Sequence, residues 1–166
     1  MIETNANLIE QYAAGGERLA DALRGWSEIN LRKSPPANAG PEVGKWSVHQ
    51  LVIHLADAEL SFADRIRRVI AMDKPALLAW HENAFAERLH YEAQSTQDAL
   101  DLILLTRRQL ARVLRKLPDK DFERTGIHDQ RGPQTLSAII GFADWHLNHH
   151  LGFVAKKRAV FSGSAK

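Results

Sequence analysis

Four long stretches of 3-4 hydrophobic spacing, cut apart by proline and glycine, constrain this chain more than any other feature. The first runs from about Asn5 to Trp26, with Leu8, Tyr12, Leu19 and Leu23 on one side. The second begins at Ser47, an N-cap type with Gln50 in capping-box position, and continues to about Met72. Its stripe of Val48, Val52, Leu55, Phe62, Ile66 and Val69 has one polar member, Glu59. The third runs from Ser95 or Thr96 to Leu117, and the fourth from Thr135 to about Val160 without an internal proline. Breaks fall at residues 34–46, Asp73-Lys74-Pro75, Leu117-Pro118-Asp119 and Arg131-Gly132-Pro133. Nothing reads as a strand. The pattern predicts an all-α four-helix bundle with long connections and a short extra helix over Trp80–Leu89, between the second and third helices. The pair Gly15-Gly16 costs the first helix roughly 1 kcal/mol per glycine and predicts a bend there.

A chain of 166 residues with 45% hydrophobic and 25% charged residues fits one globular domain spanning 1–166. A domain of this size buries roughly 70% of its unfolded surface and folds without disulfides or a structural metal. Met1 to Asn5 has no basic segment followed by an apolar run, and no stretch approaches the ~20 apolar residues of a membrane span. The expectation is a soluble cytoplasmic protein with no membrane partner. The net charge is only +2, and the basic runs Arg65-Arg67-Arg68, Arg107–Lys116 and Lys156-Lys157-Arg158 are interleaved with or near acids, so no nucleic-acid partner is expected. The absence of cysteine excludes disulfides, thiolate metal sites and a Cys nucleophile. Eight histidines stand against that empty column, and the chemistry must come from them, from carboxylates or from hydroxyls.

The fourth helix carries His146 and His150, four residues apart, so both imidazoles lie about 40° from each other around the helix and one turn apart along it. They share a stripe with Ile139 and Phe153, which turns them towards the bundle core. Neutral imidazoles in a core need hydrogen-bond partners or a metal, and at this point both remain open. His149 is read as the outward member. A third ligand is sought because such ions hold three protein groups and an open position. His54 interrupts the apolar run Leu51–Ala56 and is the candidate. Asp57 lies on a neighbouring part of that helix surface, where it either orients an imidazole or forms an ordinary salt bridge; Glu59 has the same second reading.

Lys45-Trp46-Ser47-Val48 followed by His54-Leu55-Ala56-Asp57-Ala58-Glu59 resembles the signature of the DinB/YfiT-like superfamily. Gly132-Pro133-Gln134-Thr135-Leu136 leading into His146-x-x-x-His150 is similar to the same family, and the likeness extends from about residue 5 to 160. The resemblance implies a bundle whose three metal-binding histidines are His54, His146 and His150. It implies a divalent ion such as nickel or zinc, and a homodimer. It also implies a small-molecule substrate, handled by a metal-dependent hydrolase or by a transferase that uses a low-molecular-weight thiol. Where many relatives carry an acid after the insert's aromatic residue, this chain has His81, placing a further imidazole near the mouth of the site.

Such an ion makes either water or an external thiol nucleophilic near neutral pH, with Asp57, Glu59 or His81 available to move protons. The catalytic candidates are therefore Asp57 and His81. The thiol reading is preferred on the family's assigned members, and the missing cysteine fits both. The competing expectation is a non-catalytic dimeric bundle that acts as a binding or stress-response protein. Trp46 and Trp80 are expected near the pocket, Trp80 with Phe85, while Trp145 is expected at an interface or in the core.

Overall fold

The structure is a computed structural model that describes residues 4–163; the first residues of the stretch read for a leader, Met1 to Glu3, lie outside them. Among the described residues six α-helices form, four of them long: α1 (Asn5–Leu23), α2 (Glu28–Arg32), α3 (Val48–Ala71), α4 (Glu82–Arg88), α5 (Thr96–Leu114) and α6 (Leu136–Gly163). The four expected long helices are present with ends within a few residues of the predicted ones. Ser47 caps α3 in a full capping box, accepting from the Gln50 amide while the Gln50 side chain accepts from the Ser47 amide at 2.9 Å. Ser95 caps α5 and Thr4 caps α1 without the reciprocal half, accepting the Asp98 and Asn7 amides.

Each of α1 and α3 packs against both α5 and α6. Consecutive long helices α1 and α3 therefore occupy opposite corners, as do α5 and α6. A diagonal step has to cross the end of the bundle, which explains the long connections. No described helix is long and apolar enough to cross a membrane.

A polar layer divides the core. One half gathers Tyr12, Ile66, Leu110, Ile139 and Ile140; the other gathers Leu19, Val52, Ile103, Leu147 and Val154. Between them lies Arg107 of α5, whose Nε donates to Glu59 Oε2 of α3 at 2.8 Å. Its Nη1 donates to the Tyr12 carbonyl of α1 at 3.1 Å and its Nη2 to the Ala143 carbonyl of α6 at 3.0 Å. The Tyr12 hydroxyl donates to the other oxygen of Glu59. All of these groups are buried, and every strong donor and acceptor has a partner.

Through Gly15-Gly16, where a bend was expected, α1 continues as one uninterrupted helix. The glycines serve close approach. A Cβ on Gly15 would collide with Arg107 Nη1, and one on Gly16 would lie 2.9 Å from Leu104 Cδ2.

The expectation of no strands is also corrected. β1 (Ala76–Leu77) pairs parallel with β2 (Thr125–His128), which pairs antiparallel with β3 (Gly132–Thr135). Strands of two to four residues carry too little alternation to be read, and Pro133 looks like a break. It is tolerated because β3 is an edge strand, where a missing amide donor costs no ladder bond. The sheet ties the connection after α3 to the one before α6. α2 was not anticipated, and the extra helix shrinks to α4, capped by His81.

The two kinds of glycine give a matched test. Gly15→Ala should lower the unfolding free energy by about 1–3 kcal/mol through overpacking, in spite of Ala's better helix propensity. Gly152→Ala, on an exposed part of α6 with nothing near its Cβ, should raise it by about 0.5–1 kcal/mol. Urea denaturation midpoints of the two variants would separate; equal shifts of the same sign would disprove the packing role of Gly15.

Candidate metal centre

His54 descends from the middle of α3, where residues 51–56 are all buried, and His146 and His150 face it from α6. Their Nε2 atoms converge: His146 Nε2 stands 3.2 Å from His54 Nε2 and 3.2 Å from His150 Nε2. One ring nitrogen from each residue lies within 4.8 Å of the others. His149 points outward, as expected, and stacks on Trp145 with ring centroids 5.1 Å apart.

The three imidazoles are held neutral. Burial pushes the pKa of each from 6.5 to about 3, helped by the neighbouring ring: His150 acting on His54, His54 on His146, and His146 on His150. Protein groups alone do not satisfy this arrangement. His146 Nε2 has at most one proton to share between two facing nitrogens, and the buried Nδ1 atoms of His54 and His150 have no hydrogen-bond partner. A cation accepting three lone pairs removes the conflict at Nε2. The spacing fits, since two nitrogens bound to one tetrahedral ion at ~2.0–2.1 Å stand about 3.3–3.4 Å apart. The donor set of three neutral imidazoles is one that zinc or nickel accepts. One part departs from the usual pattern: the carbonyl or carboxylate that normally orients a ligating imidazole through its other nitrogen is missing for His54 and His150. Aromatic packing does that work here. Trp46 and Trp80 lie 5.1 and 5.4 Å from the His54 ring, and Phe153 lies 5.9 Å from that of His150.

Two cavities open on this cluster. The first, about 350 Å³, has His54 and His146 in its wall together with Phe62, Arg65, Trp80 and Arg131. The second, about 220 Å³, is bounded by His150, Trp46, Phe153 and Lys157. Glu82 and Asn83 of α4 belong to both, so this short helix stands between the two mouths. Lys157 donates to the Val43 and Gly44 carbonyls, and burial draws its pKa down to about 8.

His81 sits on the wall of the first cavity. Its Nδ1 accepts the Ala84 amide at the start of α4, so the neutral ring carries its proton on Nε2. Among the described residues Asp57 is neither grouped with the three histidines nor hydrogen-bonded to them. It accepts the Tyr91 hydroxyl at 2.6 Å, and burial raises its carboxyl pKa while that hydrogen bond opposes the rise. Glu59 belongs to the Arg107 layer. Trp46 and Trp80 reach the site as expected, with Phe85 against Trp80 at 4.8 Å, while Trp145 is exposed and stacked on Phe142. The basic run Arg107–Lys116 is not one surface: Arg107 is buried and Arg115 pairs with Glu10 at 2.8 Å.

Sequence reasoning missed Arg65, His128, Gln130 and Arg131 of the first cavity. Arg65 had a signal. It follows His54 by eleven residues, which at about 100° per residue returns to within about 20° of the same azimuth. The hairpin residues had none, because β2 and β3 were not foreseen.

A sequence profile described as the DinB superfamily matches residues 6–154. The chain belongs to the DinB superfamily. A protein of Oceanobacillus iheyensis named "Putative metal-dependent hydrolase" is 31% identical over 111 residues, covering 67% of this chain and 64% of that protein. Bacillus subtilis YfiT, which carries the same description, is 28% identical over 114 residues, covering 68% and 64%. The matched region thus spans less than two thirds of either relative. A solved structure of Bacillus subtilis YfiT superposes with a TM-score of 0.85 over 98% of this chain and 90% of that one at 23% identity, and it is described as having "an unusual four-helix bundle topology". That likeness establishes the fold, and the diagonal placement of α1 and α3 is this DinB chain's form of it.

The neutral histidines fix a sign for pH. Their folded pKa values lie below the unfolded 6.5, so their contribution is complete above 6.5 and is lost as pH falls towards 3, where the unfolded chain takes up protons the folded one refuses. In protein treated with chelator, stability should decline from pH 7 to pH 4 more steeply for the natural chain than for a triple His54→Asn, His146→Asn, His150→Asn variant. Identical slopes would contradict the neutral cluster.

Proposed function

We propose that this DinB protein is a metal-dependent enzyme in which His54, His146 and His150 hold one divalent ion, nickel or zinc, and activate a small nucleophile delivered from one cavity towards a substrate in the other. The observation that carries the reading is the convergence of three neutral, under-satisfied imidazoles at a point reached from two cavities. The names of the relatives support the metal dependence.

An ion in that position supplies Lewis acidity, which makes water or a thiol nucleophilic near neutral pH. The chain's own residues do the rest. His54, His146 and His150 stay unprotonated, so their lone pairs are available at working pH. Trp46, Trp80 and Phe62 pack around the rings and shield part of the cluster from solvent, which strengthens charge interactions on that side. His81 offers its Nε2 proton at the cavity wall, where it can donate a hydrogen bond to a substrate atom or pass a proton outward. Asp57 bonded to Tyr91 fixes the wall between α3 and the connection to α5.

The external nucleophile is read as a low-molecular-weight thiol. Two cavities suit two reactants, and the chain has no cysteine to provide a thiol itself. Water attacking an ester or amide is the second reading, favoured by the relatives' descriptions as hydrolases. Homodimer formation remains part of the proposal and is read by light scattering.

Protein purified without an affinity tag should contain about one divalent ion per chain by elemental analysis. His54→Ala, His146→Ala and His150→Ala should each lower the affinity by more than the 10–100-fold typical of losing an outer partner. Stoichiometric metal surviving all three changes would sink the assignment. A panel of thiols against electrophiles, run beside thiol-free esters and amides, decides the nucleophile: turnover that requires the thiol is expected, and thiol-independent hydrolysis would replace it with water.

A further inference from the structure

Arg65 presents a problem that the histidine centre does not answer. It is only 7% exposed, yet among the described residues no carboxylate comes within ion-pair distance of it. One Nη2 hydrogen bond to the Leu78 carbonyl at 2.6 Å is its sole hydrogen bond among the described residues. Burying a guanidinium is costly unless it is paired, and the same protein shows the satisfied case in Arg107, with a carboxylate and two carbonyls around it. The acids near Arg65 are engaged elsewhere: Asp64 pairs with Arg68 at 2.7 Å, and Asp129 accepts the Ala79 amide and approaches His128.

A second guanidinium faces the same space. Arg131, in the turn between β2 and β3, lies with its Cζ 4.6 Å from the Phe142 ring centre and has no ion pair among the described residues. Its charge acts unfavourably on that of Arg65, and burial lowers the His128 pKa with help from both arginines. His128 also lines the cavity, its Nδ1 lying between the Gln130 amide at 3.2 Å and the Asp129 carboxylate at 3.1 Å. Against these donors the wall has one carboxylate, Glu82, paired with neither arginine. Phe62 spaces this basic end from the histidines, with its ring 5.8 Å from the Arg65 Cζ and 5.8 Å from the His146 ring.

We propose that the first cavity is an oxyanion subsite, in which Arg65 and Arg131 hold a carboxylate or phosphate of the substrate while its reactive end lies across Phe62 at the histidine centre. The assignment rests on that centre being where reaction occurs; the anion site itself does not. An oxyanion between the two guanidiniums offsets their like charges and gives buried Arg65 a counter-charge in contact, where Asp129 and Asp64 act on it only from beyond ion-pair distance. The aromatic walls of Phe62, Trp80 and Phe142 add a preference for a flat apolar body between the two ends.

Binding of 3-phenylpropionate, of phenyl phosphate and of uncharged 3-phenylpropanamide is measured by calorimetry on the full chain, as purified and again after chelation. The acid or the phosphate should bind at least about tenfold more tightly than the amide in both preparations; whichever binds more tightly identifies the oxyanion. Arg131→Gln and Arg65→Gln should each remove most of that preference with metal content unchanged. Should Arg65→Gln fail to fold, Arg65→Lys, which keeps the charge, and the exposed Arg131→Glu, which reverses it, provide the contrast. Equal binding of acid, phosphate and amide overturns the proposal. So does a preference that survives the arginine changes but vanishes on chelation, since the anion then sits on the metal and the proposed function stands without the subsite. A preference that persists in His146→Ala keeps the subsite even if the metal reading fails.

Discussion

One guanidinium touches all four long helices. Arg107 projects from α5 into a carboxylate of α3, a carbonyl of α1 and a carbonyl of α6, and Glu59 returns the contact to α1 through the Tyr12 hydroxyl. A buried ion pair of this kind contributes little net stability compared with a well-packed apolar layer, but removing one partner leaves a buried charge and costs about 3–5 kcal/mol. What it supplies is register. Apolar side chains above and below would tolerate a slide of one helix against another, whereas the fork of Arg107 accepts its three partners in one arrangement.

That register sets the histidine cluster. Glu59 follows His54 by five residues on α3, and Ala143 precedes His146 by three on α6, so the layer fixes the two helices against each other immediately beside the point where their imidazoles meet. A slip of a single turn, about 5.4 Å, would carry His54 past its partners. Close approach of α1 to α5, which Gly15 and Gly16 permit, serves the same end by making room for the guanidinium. The scaffold thus places three neutral nitrogens within 4.8 Å of one another with no hydrogen bond at the far nitrogens of His54 and His150 to orient those rings. Rigid helices and aromatic walls replace the usual carbonyl partners.

The helices were readable from the sequence because each repeats its apolar spacing over several turns and begins at a recognisable cap. The histidine cluster was readable for a related reason: His146 and His150 share one face at fixed spacing, and His54 breaks an apolar run where nothing else polar occurs. Glu59 stood out on its stripe, but its partner could not be found, since Arg107 hides within a basic run that looks solvated. The diagonal order of the helices was not accessible either, because periodicity tells which face is buried and not against which neighbour. Strands of two to four residues lie below the length at which alternation carries information, so the sheet and the hairpin residues of the cavity wall were missed.

The consequence falls on specificity more than on chemistry. The long helices bring the histidines together, while most of the first cavity's wall comes from segments between them: Trp80 to Asn83 from the connection after α3, and His128 to Arg131 from the turn of the hairpin. The parallel pairing of β1 with β2 joins those two segments, and the Asp129 carboxylate fastens the first to the second at the Ala79 amide, 3.1 Å away. A diagonal bundle needs long crossings at its ends, and in this chain the sheet turns them into a cavity wall whose charge is set independently of the three histidines. Arg65 is the link between the two systems. It lies on the histidine-bearing face of α3 but donates to Leu78 of the connection, so the identity of the loop decides what a cation on the helix is free to hold.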